Sequence, residues 1–185
     1  MTEKIRICHI ITGLGQGGAE NMLYNLLKYT NRNQFIPSVV SLLPDGTLSD
    51  PIRALDIRVE TLNMGRGIPS PFKIAELKKI LKINHIDGVQ CWMYHANLLG
   101  GIAARLLSIP PIWNIRHSNL ENPVNKKNTL RIVHLCAKLS PYIPQKIIYC
   151  AQQARVVHEK IGYAADKSIV IPNGFEISRF CASSE

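Results

Sequence analysis

Seven short runs of β-branched and apolar residues recur along this chain, and the stretches between them repeat their apolar residues at helical spacing. Strands that alternate with helices cannot pair as hairpins. Each helix carries the chain back to start the next strand in the same direction, so the sheet is parallel and needs helices on both faces. That constraint predicts a doubly wound α/β fold with a mainly parallel sheet. The strands are expected at 5–11, 35–43, 57–62, 87–92, 112–115, 146–149 and 168–171. Helices are expected from the first glycine cluster to about Arg32, over 48–55, over 72–84, after the stretch MYHAN, over 128–139 and over 151–161.

The first of these units carries the most chemistry. Its strand stops at Gly13, Gly15, Gly17 and Gly18, and the helix follows through Ala19, Met22, Leu23, Leu26 and Leu27. Glycines at such a turn adopt backbone angles closed to other residues and let another molecule come close to the backbone. Free N–H groups and the positive end of the helix dipole at 17–20 suit a phosphate. The unit therefore reads as a phosphate or nucleotide site.

In open parallel sheets ligands gather where the chain leaves the carboxyl ends of the strands. Those exits hold residues 13–18, 93–97 and 116–119. His95, Asn97, Arg116 and His117 stand there. A neutral histidine can donate to a sugar hydroxyl, and an arginine can neutralise a phosphate. The other histidines, His9, His85, His134 and His158, fall inside a strand or on helices and read as packing or surface residues.

Composition narrows the partners. The formal net charge is +9, which would suit nucleic acid, anionic membrane or phosphorylated substrates. Aromatic residues are only 6% and do not interleave with basic ones, so no nucleic-acid partner is expected. No apolar run reaches the roughly 18 residues of a membrane span, and the N-terminus reads as a strand, which predicts a cytoplasmic protein. Cys8, Cys91, Cys136, Cys150 and Cys181 lack CxxC pairing and read as reduced thiols, with no zinc site or disulfide frame. The helix at 72–84 sets Ile74, Leu77, Ile80 and Leu81 against Lys73, Glu76, Lys78, Lys79 and Lys82. The lysine face is either simply solvated or rests on anionic head groups.

Gly13, Gly15 and Gly18 also satisfy G-x-G-x-x-G, so an NAD(P)-binding oxidoreductase domain is an alternative. That reading needs an acid after the second strand for the ribose. The candidate, Asp45, sits in a Pro-Asp-Gly turn and is explained by turn chemistry.

A closer resemblance runs along nearly the whole chain. GLGQGGAENMLYNLL at 13–27, WMYHAN at 92–97, IRHSN at 115–119, AQQARVVHEKIGYAADK at 151–167 and KSIVIPNGFEISRF at 167–180 resemble the N-terminal, acceptor-side domain of family 4 retaining glycosyltransferases. These enzymes have the two-domain GT-B architecture, whose halves are Rossmann-like. The resemblance implies that Gly17 and Gly18 lie against the donor diphosphate. It implies catalytic positions for His117, near the donor sugar or leaving phosphate, and His95. Arg116, Glu20 and Asn97 become acceptor or phosphate contacts, although Glu20 is equally explained as a favourable charge in a first helical turn. Asn173 and Gly174 match a linker, giving a domain over 1–171 and a linker start at 172–185. The donor-binding domain is expected beyond Glu185, so this chain should fold alone and be inactive alone.

The reaction so implied moves a sugar from a nucleotide-diphosphate sugar to a hydroxyl, with retention, and with neither cofactor nor metal. The expected partners are the nucleotide sugar and a sugar or lipid-linked acceptor in bacterial surface polysaccharide or glycolipid synthesis. Peripheral contact with the inner face of the membrane belongs to the same expectation. A binding module that kept the fold and lost the chemistry is the third reading.

Overall fold

The computed structural model describes residues 3–65, 71–118, 120 and 127–174. Most of the expected glycine and proline loop at 64–71, together with Asn119, Lys126 and the segment 175–185, lies outside the described residues.

The expected alternation is present. The strands are β1 (Ile5–Ile11), β2 (Phe35–Ser41), β3 (Arg58–Thr61), β4 (Gly88–Trp92), β5 (Pro111–Ile115), β6 (Lys146–Tyr149) and β7 (Ser168–Val170). Between them run α1 (Gly18–Tyr29), α2 (Ser49–Arg53), α3 (Pro71–Ile83), α4 (Tyr94–Arg105), α5 (Lys127–Leu139) and α6 (Gln152–Lys160). All pairings are parallel, in the order β3-β2-β1-β4-β5-β6-β7. The order reverses between β1 and β4, which makes that edge the switch point where a doubly wound sheet opens a crevice.

Two cores lie on the two faces. Leu23 and Leu27 of α1 and Ile52 of α2 pack on Ile11, Val39 and Trp92. Residues of α3, α4, α5 and α6 pack on the opposite side with Cys8, Ile10, Val40, Cys91, Trp113, Ile115 and Ile147. Strand side chains alternate between faces, so the neighbours Ile10 and Ile11 divide between the two cores. The small residues of α4 let that helix down onto the sheet: a Cβ on Gly100 would lie 2.7 Å from Cys91 Sγ, and one on Gly101 2.6 Å from Trp113 Nε1.

Several sequence-based boundaries shift by a residue or two, and three shifts have a visible physical reason. The first helix ends at Tyr29, short of Arg32, because Thr30 is extended and its Oγ1 bonds back to Leu26 O at 2.7 Å. The second strand ends at Ser41, although Leu42 and Leu43 still donate to Ile11 and Thr12 at 2.9 and 3.0 Å. MYHAN is no connecting stretch before a helix, since α4 begins at Tyr94. Met93 turns the chain there at φ 73°, and Asn97 N donates to Met93 O at 2.8 Å.

His9 and His158 are interior, while His85 and His134 are exposed. Cys8, Cys91 and Cys136 are buried free thiols and Cys150 is half-buried. The lysine face of α3 is not uniformly solvated: Lys73 Nζ donates to Leu62 O at 2.6 Å and pairs with Glu76 at 2.7 Å. Among the described residues, no helix is long and apolar enough to cross a membrane.

Candidate active site

The glycine turn is fixed by what it touches. Leu14 is buried, and Leu48 N donates to its carbonyl at 2.9 Å. Gly46, from the Pro-Asp-Gly turn, lies so close that a Cβ there would stand 2.5 Å from the Leu14 carbonyl carbon. The turn after β2 therefore clamps the turn after β1. Asp45 itself pairs with Arg53 at 2.8 Å, so the acid that a dinucleotide ribose would need is engaged elsewhere.

Gly15 and Gly18 face open space, with nothing within 4 Å of a Cβ built on either. Gly17 is the N-cap of α1, and no side chain caps it. Its carbonyl accepts from both the backbone N and the Nδ2 of Asn21, at 3.0 and 2.9 Å. The Glu20 carboxylate folds over it, its Cδ 3.0 Å from where a Gly17 Cβ would lie. A negative group thus already sits against the positive end of the helix.

At the same carboxyl edge, buried side-chain atoms stand without partners: Thr12 Oγ1, both amide atoms of Asn97, Asn114 Oδ1, Arg116 Nε and His117 Nε2. Trp113 Nε1 and the Tyr149 hydroxyl complete that set among the described residues. Unpaired buried polar atoms are uncommon because each costs the desolvation of the group, so a concentration of them marks a place that a ligand completes. Asn97 is the clearest case, 0% exposed with neither amide atom paired.

The alternation of the strands sorts these groups. Thr12 continues the side of Cys8 and Ile10, and His117 that of Trp113 and Ile115; both sides belong to α4, which carries Asn97. Asn114 and Arg116 face the other way, into a groove of about 480 Å³ lined also by Met22, Leu26, Trp92 and Ile148. There the Arg116 guanidinium stacks over the Trp92 ring at 4.9 Å. Arg116 and His117, adjacent in sequence, are not brought together. Burial lowers the pKa of Arg116 and that of the half-buried His95, which favours the neutral imidazole at His95.

Sequence reasoning passed over Thr12 and Asn114. A readable sign existed for Asn114: it is the one polar side chain within PIWNI, an otherwise apolar strand. Among the described residues no group of three His, Cys, Asp or Glu side chains is placed to hold a metal ion.

Seven parallel strands in this order, with a glycine turn after the first, make up the N-terminal half of a GT-B glycosyltransferase fold. HepE from Anabaena, solved with UDP-glucose, matches with a TM-score of 0.73 at 21% identity, over 94% of this chain and 45% of that one. A glycosyltransferase from Rickettsia africae gives 0.64 at 17% identity, over 97% and 45%. MurG from Acinetobacter baumannii gives 0.61 at 16%, over 93% and 46%. The chain belongs to Glycosyltransferase Family 4, whose model matches residues 16–179. It spans a little under half the length of these solved structures. No curated protein matches the sequence at a significant level.

Proposed function

We propose that this chain forms the acceptor-side half of a retaining glycosyltransferase site, which moves a sugar from a nucleotide-diphosphate sugar to a hydroxyl acceptor. The observation that carries the reading is the set of unpartnered buried polar groups beside the open glycine turn. The donor class is supported by the structural likeness to HepE, which was solved with UDP-glucose and with UDP.

In this reading Gly17 and Gly18 admit the donor diphosphate to the N-terminus of α1, and Glu20 moves off as the anion arrives. Arg116 is the cation available from the α1 side. On the α4 side, Asn97 and His95 orient hydroxyl groups, and His117 Nε2 stands near the reacting carbon. The bond from the anomeric carbon to the diphosphate oxygen breaks, a bond to the acceptor oxygen forms on the same face, and the acceptor proton ends on the departing phosphate. The protein's part is to position and to stabilise charge, and turnover is read as indifferent to chelators.

The acceptor is read as a sugar or lipid-linked hydroxyl. Lys79 and Lys82 are exposed on α3 and Phe72 is 84% exposed at its start, which suits an anionic membrane surface. Charge reversal of Lys78, Lys79 and Lys82 is expected to release the chain from anionic liposomes. Unchanged co-sedimentation removes the membrane from the proposal.

The decisive experiment is ligand-detected NMR of this chain against UDP, GDP, UDP-glucose, NAD and NADP, with His117→Ala as control. At most weak contact with UDP-sugar, lowered further in the variant, is the expected outcome, because most donor contacts are expected from the other half of the site. Tight NAD binding would overturn the glycosyltransferase reading.

A further inference from the structure

Behind the start of α4 lies a cluster of rings that the proposed chemistry leaves unused. His158 of α6 is 0% exposed. Its Nδ1 is 2.7 Å from the Ala154 carbonyl oxygen, one turn back on the same helix. A carbonyl only accepts, so Nδ1 carries the proton and Nε2 of the neutral ring is a bare acceptor. That Nε2 lies 2.8 Å from the Tyr94 hydroxyl, which therefore donates. The rings of Tyr94, Tyr149 and Tyr163 surround the imidazole at centroid distances of 5.7, 5.7 and 5.1 Å.

Tyr94 is the first residue of α4. It follows Met93, held at a positive φ of 73°, and no side chain caps this helix start. A non-glycine residue in that conformation persists only where its surroundings over-determine it. Among the described residues two hydrogen bonds from other elements reach Tyr94: the His158 ring at its hydroxyl, and Cys136 Sγ, 3.6 Å from its carbonyl oxygen. One residue further on is His95, and Asn97 completes the same turn.

We propose that His158 is a positioning residue: through Tyr94 it fixes the uncapped first turn of α4, and with it the placement of His95 and Asn97. What this does for sugar transfer rests on the function proposed above; the placement itself does not. Held in one tautomer, the ring offers α4 a fixed acceptor. Its titratable neighbours are Tyr94 from α4, Tyr149 from β6, Tyr163 after α6 and, at longer range, His117 after β5; none is a carboxylate that would favour the imidazolium.

Histidine-ring ¹⁵N NMR of this chain tests the proposal without any activity. His158 is expected as the Nδ1–H tautomer, with Nε2 bare toward the Tyr94 hydroxyl. His95 then serves as the reporter, because burial holds its pKa below the ordinary value of about 6.5. In Tyr94→Phe and His158→Leu its midpoint should climb toward that value. His158→Gln, whose amide oxygen can accept from Tyr94, should bring His95 part of the way back. A proton on Nε2 of His158, or a His95 midpoint unmoved in both variants, overturns the proposal. Should the variants not fold, the tautomer in the unaltered chain decides. Correct ring behaviour in a chain that binds NAD tightly would defeat the functional reading and leave the positioning role standing.

Discussion

The indole Nε1 of Trp92 donates to Nδ1 of His9 across the adjacent strands β4 and β1, at 3.3 Å in the protein interior. The bond uses a lone pair that protonation would remove. Burial drives the His9 pKa down to about 4. In the unfolded chain the same ring titrates near 6.5, so between those values the unfolded state binds the extra proton.

The sign follows for acid stability. Above about pH 6.5 His9 is neutral in both states and contributes no pH dependence; as pH falls toward 4 stability declines, by up to about 3 kcal/mol, and the loss levels off below. Urea titrations at several pH values read this directly. His9→Gln keeps an acceptor for Trp92 without titrating, and its curve should be flatter through that window. Parallel curves for the two proteins would refute the assignment.

Alanine at Gly100 or Gly101 sets two effects against each other. Helix propensity favours alanine by about 1 kcal/mol. The added methyl of Gly100→Ala, however, meets Cys91 Sγ at 2.7 Å and Ile10 Cδ1 at 2.9 Å, and that of Gly101→Ala meets Ile143 Cγ2 at 2.7 Å. Overpacking of this kind costs about 1–3 kcal/mol, so both variants should melt lower than the unaltered chain. A higher melting temperature would mean that α4 rides further from the sheet.

Gly18→Ala separates fold from ligand. Nothing lies within 4 Å of the new methyl, and the residue opens a helix, so stability should hold or rise by up to about 1 kcal/mol. The same methyl stands where the proposed diphosphate approaches, so UDP-sugar affinity should fall. Equal affinity in the variant would move the diphosphate away from this turn.

Lys167 ties the approach to β7 to the far end of α5. Its Nζ donates to the carbonyls of Ser140, Pro141 and Pro144 at 3.4, 2.5 and 2.9 Å. Lys167→Met keeps the stem and leaves those oxygens without their cation, a loss of about 1–3 kcal/mol by denaturant titration. No change would show that water replaces the ammonium freely.

Much of this was legible in the residues themselves. Periodicity gave the strands and helices in order, and the glycines at 13–18 pointed to the first turn of α1. Two kinds of information were not. The start of α4 hid behind Met93, because a methionine at positive φ carries no local signal; only the packing around Tyr94 imposes it. The partners that arrange the polar groups lie far apart in sequence: His158 is 64 residues from Tyr94, and His9 is 83 from Trp92. No window of residues contains both halves of such a bond. The Asn97 amide was visible as a residue at a strand exit, but its lack of any partner is a property of the folded edge alone.

Arg116 and His117, one peptide bond apart, look out on opposite sides of the sheet. A chain evolving by substitution can retune either without disturbing the other. A gain or loss of a single codon within β5 has no such freedom: it would exchange the two sides at once, delivering a guanidinium to the α4 side and an imidazole to the groove over Trp92. Length variation among relatives of this chain should therefore collect in the connections around PIWNI and spare the strand.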